Sequence, residues 1–67
     1  MIERDLSTEE AESINDRVDV ENIEPVGEAE WHEHGFDLTY IIDGKTYRLV
    51  YDRETYFTGI GYELIED

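Results

Sequence analysis

Residues 36–51 read FDLTYIIDGKTYRLVY, and this stretch carries the strongest structural signal in the chain. Asp43 and Gly44 separate two segments in which apolar and polar residues alternate. A two-residue type I′ turn needs positive φ at both central positions, and the Asp-Gly pair is among the few that adopt it readily. We therefore predict a β-hairpin that turns at Asp43-Gly44.

The position of this turn sets the register of the two strands. One face of the hairpin becomes almost wholly apolar, with Phe36 opposite Tyr51, Leu38 opposite Leu49, Tyr40 opposite Tyr47 and Ile42 opposite Lys45. The other face carries Asp37, Thr39, Ile41, Thr46, Arg48 and Val50. A shift of one residue would mix these two sets, so the register is well specified.

Two further turns extend the hairpin into a sheet. A tight turn at His34-Gly35 would place Trp31 opposite Leu38 and Ala29 opposite Tyr40. A four-residue loop over 52–55 would pair Tyr56 with Tyr51, Thr58 with Leu49 and Ile60 with Tyr47. Tyr62 and Leu64 would then continue the apolar face, and Gly59 and Gly61 would lie on the other face, at a bulge or a close approach. The final segment is predicted as a strand, with a short helix as the alternative.

The N-terminal part predicts a helix over about residues 8–18. Ser7 and Glu10 have the spacing of a capping box, in which each side chain bonds the other residue's backbone N–H. Ala11, Ile14 and Val18 recur at helical spacing. Residues 19–27 contain the only proline and read as a connection.

These elements predict the α+β fold class: an N-terminal helix packed on a small antiparallel meander of three to four strands. At 67 residues the chain is expected to form a single domain, 1–67. Residues 1–27 would form the acidic helix and linker, and residues 28–67 the sheet. The chain has no cysteine, which leaves the redox compartment undetermined. No apolar run is long enough to span a membrane, and the absence of an export signal favours a cytoplasmic location, in the host cell if the protein is encoded by a phage.

The composition is strongly acidic. The chain has 19 Asp and Glu residues and only five Lys and Arg residues, which gives a formal net charge of −14. Residues 1–34 hold 12 acids and 2 bases, whereas residues 35–67 hold 7 acids and 3 bases. Charge of this size destabilises a compact state by self-repulsion, so something other than folding favours it. Either the acidic surface is itself functional, or the protein is adapted to very high salt.

The predicted partner-binding residues form a band over the helix, the linker and the first strands. They are Glu9, Glu12, Asp16, Glu21, Glu24, Glu28, Glu30 and Asp37. A domain of this length is roughly 28 Å across, which corresponds to about one net charge per 2 Å. Duplex DNA carries one charge per roughly 1.7 Å of axis. We expect the band to attract proteins that bind DNA through lysine and arginine.

Other chemistry is less well supported by the residues. His32, His34 and Glu30 could face one metal ion on a strand, but two histidines near a turn are more often plain surface residues. Small size leaves little room for the desolvated cleft that acid–base catalysis needs. We therefore expect no enzymatic activity, no metal and no cofactor. Tyr56 or Tyr62, near the sheet edge, is expected to be available to a partner.

In size, charge and α+β layout, the chain resembles the small acidic inhibitors of phages and mobile elements that act as DNA mimics, such as anti-CRISPR and antirestriction proteins. Similarity to anti-CRISPR proteins that act on type I surveillance complexes implies a basic, nucleic-acid-binding partner subunit. The chain itself would bind neither nucleic acid nor membrane, and would be a monomer or a weak homodimer.

Two alternatives also fit the acidity. The protein could be adapted to high salt, or it could be an acidic antitoxin or regulatory subunit whose partner need not bind nucleic acid. A halophilic protein would lose structure in dilute buffer because its repelling carboxylates are no longer screened. We predict that circular dichroism will show a folded chain at low salt. Unfolding there would instead support halophilic adaptation.

Overall fold

The computed structural model describes residues 2–66, which form one α-helix and a curled five-stranded antiparallel sheet. In chain order the elements are β1 (Ile2–Asp5), α1 (Thr8–Val20), β2 (Glu30–His32), β3 (Gly35–Ile42), β4 (Lys45–Asp52) and β5 (Phe57–Ile65). The order across the sheet is β1-β5-β4-β3-β2. The predicted α+β class is confirmed, but the sheet has five strands where three to four were predicted.

The β3–β4 hairpin has the predicted register at every position. Asp43 and Gly44 have φ values of 52° and 78°, as a type I′ turn requires. The apolar face of the hairpin forms the main core, a cluster of Phe36, Tyr40, Ile42, Leu49 and Tyr51. Leu49 is completely buried at its centre.

Helix α1 begins as predicted and ends two residues later. Ser7 Oγ accepts a hydrogen bond from the backbone N–H of Glu10, and the Glu10 carboxylate accepts one from Ser7 N–H, each at 3.1 Å. At the C-terminus Asn22 adopts a left-handed φ of 54°, and Ile23 N–H bonds the Val18 carbonyl at 3.0 Å. This is the Schellman arrangement, which Asn can complete because it tolerates left-handed backbone. Asn22 therefore ends the helix after Val20, beyond the predicted limit at residue 18.

Strand β1 is absent from the predicted fold, which assigned residues 1–27 to the helix and linker alone. Its four residues are all exposed and show no alternating pattern. The strand exists because β5 offers an open edge, to which it pairs from Ile2↔Ile65 to Asp5↔Tyr62. Arg4 also donates hydrogen bonds to Glu63 at 2.9 Å and to Glu10 at 3.1 Å, joining the strand pair to the helix.

The β2–β3 turn lies one residue earlier than predicted, at Glu33-His34. Trp31 pairs with Phe36 instead of Leu38. Ala29 precedes β2 and so does not pair with Tyr40 as predicted, but it packs against the core. Gly35 is the first residue of β3. A side chain there would collide with the Tyr51 carbonyl oxygen, so the position requires glycine. Moving the turn by one position shifts the pairing by two residues, so Trp31 keeps its predicted face.

The β4–β5 connection spans residues 53–56, and within it Asp52 and Tyr56 close a turn of three residues, 53–55, where a four-residue loop over 52–55 was predicted. Asp52 Oδ1 accepts hydrogen bonds from the backbone N–H groups of Glu54 and Tyr56, at 2.9 and 3.0 Å. Thr55 completes the turn with a left-handed φ of 71°. This is the pattern of a three-residue hairpin loop. Because side chains alternate, one residue fewer in the loop exchanges the two faces of β5.

The predicted pairing of β5 is therefore wrong. Tyr51 pairs with Phe57, Leu49 with Gly61 and Arg48 with Tyr62, and the register shifts between Leu49 and Tyr51. Tyr62 and Leu64 lie on the face away from the helix, and Gly59 and Gly61 lie on the helix side. A Cβ at Gly61 would approach Leu49 Cδ2 to 2.9 Å and Leu6 Cδ1 to 3.2 Å.

The sheet curls around the face opposite the helix. Arg48, on the central strand β4, has its Nη1 3.6 Å from Glu3 and 3.7 Å from Glu30. Glu3 and Glu30 belong to the two edge strands, each about 10 Å away in a flat sheet. One guanidinium nitrogen reaches both only because the edges bend toward it.

Gly61→Ala tests the corrected register of β5. The added methyl group would crowd Leu49 and Leu6, so we expect the free energy of unfolding to fall by about 1–3 kcal/mol. The matched control is Ile60→Val on the opposite, half-exposed side, which should change stability by less than about 0.5 kcal/mol. Urea unfolding measures both. Equal stability of Gly61→Ala and wild type would mean that residue 61 faces open space.

Candidate protein-binding surface

The outward side of α1 carries four carboxylates, which we call the helix acid row: Glu9, Glu12, Asp16 and Asp19. They are three or four positions apart, so they follow one another along a single side of the helix. All four are exposed. The row spans about 15 Å at 1.5 Å per residue. The opposite side of α1, with Ala11, Ile14 and Val18, packs toward the sheet.

Within residues 2–66, none of the four side chains of the row lies within ion-pairing distance of a basic group. Residues spaced this way on a helix have Cβ atoms about 5–6 Å apart, and like charges at that distance repel. The row therefore destabilises the free helix and leaves its carboxylates available to cations from outside.

Three of the four arginines are engaged elsewhere in the described structure. Arg4 binds Glu10 and Glu63, Arg17 binds Glu21 at 2.7 Å and Asp43 at 2.9 Å, and Arg48 faces Glu3 and Glu30. The hydrogen bond from Arg4 lowers the pKa of Glu10, and the one from Arg17 lowers the pKa of Glu21. The carboxylates of Glu10 and Glu21 therefore stay ionised and hydrogen-bonded to arginine, whereas those of the helix acid row face solvent.

The eight predicted partner-binding residues do not share one surface. Glu30 and Asp37 lie on the sheet face opposite the helix, directly paired across β2 and β3. Glu30 approaches Arg48 at 3.7 Å, and Asp37 contacts His32 Nε2 at 3.0 Å. Glu21 is tied to Arg17 at the end of α1. Glu24 and Glu28 are exposed in the linker, and Glu9, Glu12 and Asp16 lie in the helix acid row.

Asp19 is the member of the row that the sequence analysis missed. It was assigned to the connection because the last regular apolar position is Val18. The signal that could have placed it is Asn22, which is suited to the left-handed residue just beyond a helix end. A helix that continues to Val20, just before this end signal, includes Asp19, which lies three residues after Asp16 on the same side.

The two histidines lie in different elements, His32 at the end of β2 and His34 in the β2–β3 turn. His32 contacts Asp37, and His34 is exposed in the turn itself. Among residues 2–66, no three His, Asp or Glu side chains come together in a group that could hold a metal ion.

Two aromatic side chains are well exposed. Trp31 is 69% exposed at the β2 edge, and Tyr56 is 67% exposed beside the β4–β5 loop. Of the two tyrosines expected to be available to a partner, Tyr56 is open and Tyr62 is half-buried on the face away from the helix.

A scan against protein-family models, a search of curated proteins and a search of solved structures each found no match. In the part of the chain that the structure describes, no helix has the length and apolar content needed to cross a bilayer.

The repulsion within the helix acid row predicts a gain in stability when part of it is neutralised. Glu12→Gln combined with Asp16→Asn should raise the free energy of unfolding by a few tenths of a kcal/mol or more, because a like-charge (i, i+4) pair is removed. The gain should shrink as salt is added. Urea unfolding at low and high ionic strength measures it.

Glu21→Gln and Glu10→Gln together provide the control for this variant. They remove the same formal charge but replace the charge-assisted hydrogen bonds with Arg17 and Arg4 by weaker neutral ones, so they should not stabilise the protein. An equal gain from both double variants would show that net charge alone matters, and that the row has no special strain.

Proposed function

We propose that this protein is a DNA mimic that inhibits a nucleic-acid-binding protein by occupying its basic groove. The observation that carries the proposal is the helix acid row, with four exposed carboxylates along about 15 Å and no basic partner within the described residues. A groove lined with lysine and arginine would supply the missing cations.

The charge density supports long-range attraction to such a groove. The radius of gyration is 11.1 Å and the longest dimension is 32 Å, so the net charge of −14 corresponds to about one charge per 2 Å. Duplex DNA carries about one per 1.7 Å of its axis. A protein that is steered toward DNA by its positive potential would therefore be steered toward this surface as well.

The stability cost of the row also supports a functional role. A net charge of magnitude about 2–8 is enough to keep a small domain soluble, and this chain exceeds it. Surfaces that oppose folding are commonly retained because binding needs them. The same argument supports the alternative of an acidic antitoxin. The two functions differ in one respect: DNA competes with a DNA mimic for its partner, and it does not compete with an antitoxin.

The inhibition would be competitive occlusion. The partner's basic side chains would contact the helix acid row as they contact phosphates, and counterions held near both surfaces would be released. The complex should consequently weaken as salt rises. A subunit of a CRISPR surveillance complex that contacts target DNA is the class of partner we propose to test first.

The test uses two variants with the same net charge. The row variant carries Glu9→Gln, Glu12→Gln, Asp16→Asn and Asp19→Asn. The control carries Asp5→Asn, Glu33→Gln, Glu54→Gln and Glu66→Gln, four exposed acids away from α1. Each exposed ion pair contributes about 0.2–1 kcal/mol. We therefore expect the row variant to bind the partner about tenfold or more weakly, and the control variant to stay within a few-fold of wild type.

Affinity capture from a bacterial lysate at low and high salt would identify the partner, and duplex DNA would then be added as competitor. The proposal requires that the captured partner is a basic nucleic-acid-binding protein and that added DNA releases it. It also requires that the wild-type acidic protein blocks DNA binding by this partner. A captured partner that DNA fails to displace would support the antitoxin alternative. Equal losses in the row and control variants would overturn the role of the row.

A further inference from the structure

An open cleft of about 730 Å³ lies between the C-terminal half of α1, the linker and the helix-bearing face of the sheet. Its volume is within the range of ligand pockets in proteins. The backbone of α1 lies closest to β5, and the C-terminal half of α1 reaches the β3–β4 hairpin through the side chains of Ile14, Asn15 and Val18. The cleft opens beside these contacts.

Aromatic rings line one side of the cleft. Phe36, Tyr51 and Phe57 form a continuous row across β3, β4 and β5, with ring centroids 5.5 Å apart at each step. The Tyr51 hydroxyl donates to Asn15 Oδ1 at 2.8 Å. Burial raises the pKa of Tyr51, as does the neighbouring Tyr40, so the ring stays neutral.

Tyr56 stands at the mouth of the cleft with its side chain two-thirds exposed. Its backbone is held by Asp52 at both polar groups: Tyr56 N–H bonds Asp52 Oδ1, and Tyr56 C=O accepts from Asp52 N–H, each at 3.0 Å. The exposed ring is therefore carried on a fixed piece of backbone. Binding to it would cost little ordering of the loop.

Two carboxylates face the same cleft from the other side. Asp19 comes from the end of the helix acid row and Glu24 from the linker, and neither has an ion-pair partner among residues 2–66. Aromatic faces attract cations within about 6 Å of the ring centroid. Rings and unpaired carboxylates that border one space are complementary to a cation with a flat apolar surface.

We propose that this cleft accepts an arginine side chain of the basic partner, whose guanidinium stacks on Tyr56 and pairs with Asp19 and Glu24. The proposal rests on the proposed function, because it names the group that the partner inserts. Arginine fits better than lysine, since its planar guanidinium stacks on aromatic rings and offers a fork of donors to carboxylates. The helix acid row would attract basic partners at long range, and the cleft would favour arginine over lysine at contact.

The test compares a peptide of alternating arginine and glycine with its lysine counterpart, by calorimetry and by amide NMR. Wild type should bind the arginine peptide at least about threefold more tightly. Amide shifts should concentrate at residues 18–25 and 55–57. Tyr56→Leu should weaken arginine-peptide binding more than lysine-peptide binding, and so reduce the arginine preference.

Asp19→Asn and Glu9→Gln form a matched pair, because both remove one charge from the same helix and only Asp19 borders the cleft. Asp19→Asn should reduce the arginine preference, and Glu9→Gln should weaken both peptides equally. Unchanged NMR spectra away from the substituted sites would show that each variant is folded.

Equal binding of both peptides by wild type, failure of both to bind, or an arginine preference that Tyr56→Leu leaves at its wild-type size would overturn the inference. Failure of the proposed function gives a different result. In that case the arginine preference would hold, but duplex DNA would not displace the captured partner.

Discussion

The register of the β3–β4 hairpin is the constraint on which the rest of the structure depends. Because side chains alternate along a strand, the Asp43-Gly44 turn places Phe36, Tyr40, Leu49 and Tyr51 on one face. That face gives α1 something to pack against, and a helix of 13 residues with a narrow apolar stripe needs such support. The hairpin therefore also determines which side of the helix, with its carboxylates, faces solvent.

Scarcity of basic residues connects the fold to the proposed function. With five bases for 19 acids, most carboxylates must go without a partner. Three arginines each contact two acids and so join separate elements of the fold. Arg4 joins β1 to α1 and β5, and Arg17 joins α1 to the β3–β4 turn. Arg48 joins β4 to the two edge strands. These contacts link separate elements, and they leave the helix acid row without a cation among the described residues.

The charge surface and the cleft meet at Asp19. This residue ends the row on α1 and also borders the space lined by Tyr51 and Tyr56. Electrostatic attraction is long-ranged but unselective, whereas stacking and paired hydrogen bonds act only at contact. A surface that combines the two can attract many basic proteins and retain those with a suitably placed arginine.

Features set by neighbours in the chain could be read from the sequence. The Asp-Gly turn, the Ser7–Glu10 capping box and the acidic outer side of α1 each depend on residues within a few positions of one another. Loop length, by contrast, depends on competing local hydrogen bonds. Asp52 closes a three-residue loop instead of four, which exchanges the faces of β5. Strand β1 and the Arg48 contacts join residues far apart in the chain, so only the tertiary structure decides them. The cleft also depends on the tertiary structure, because it is the space between the end of α1, the linker and the sheet.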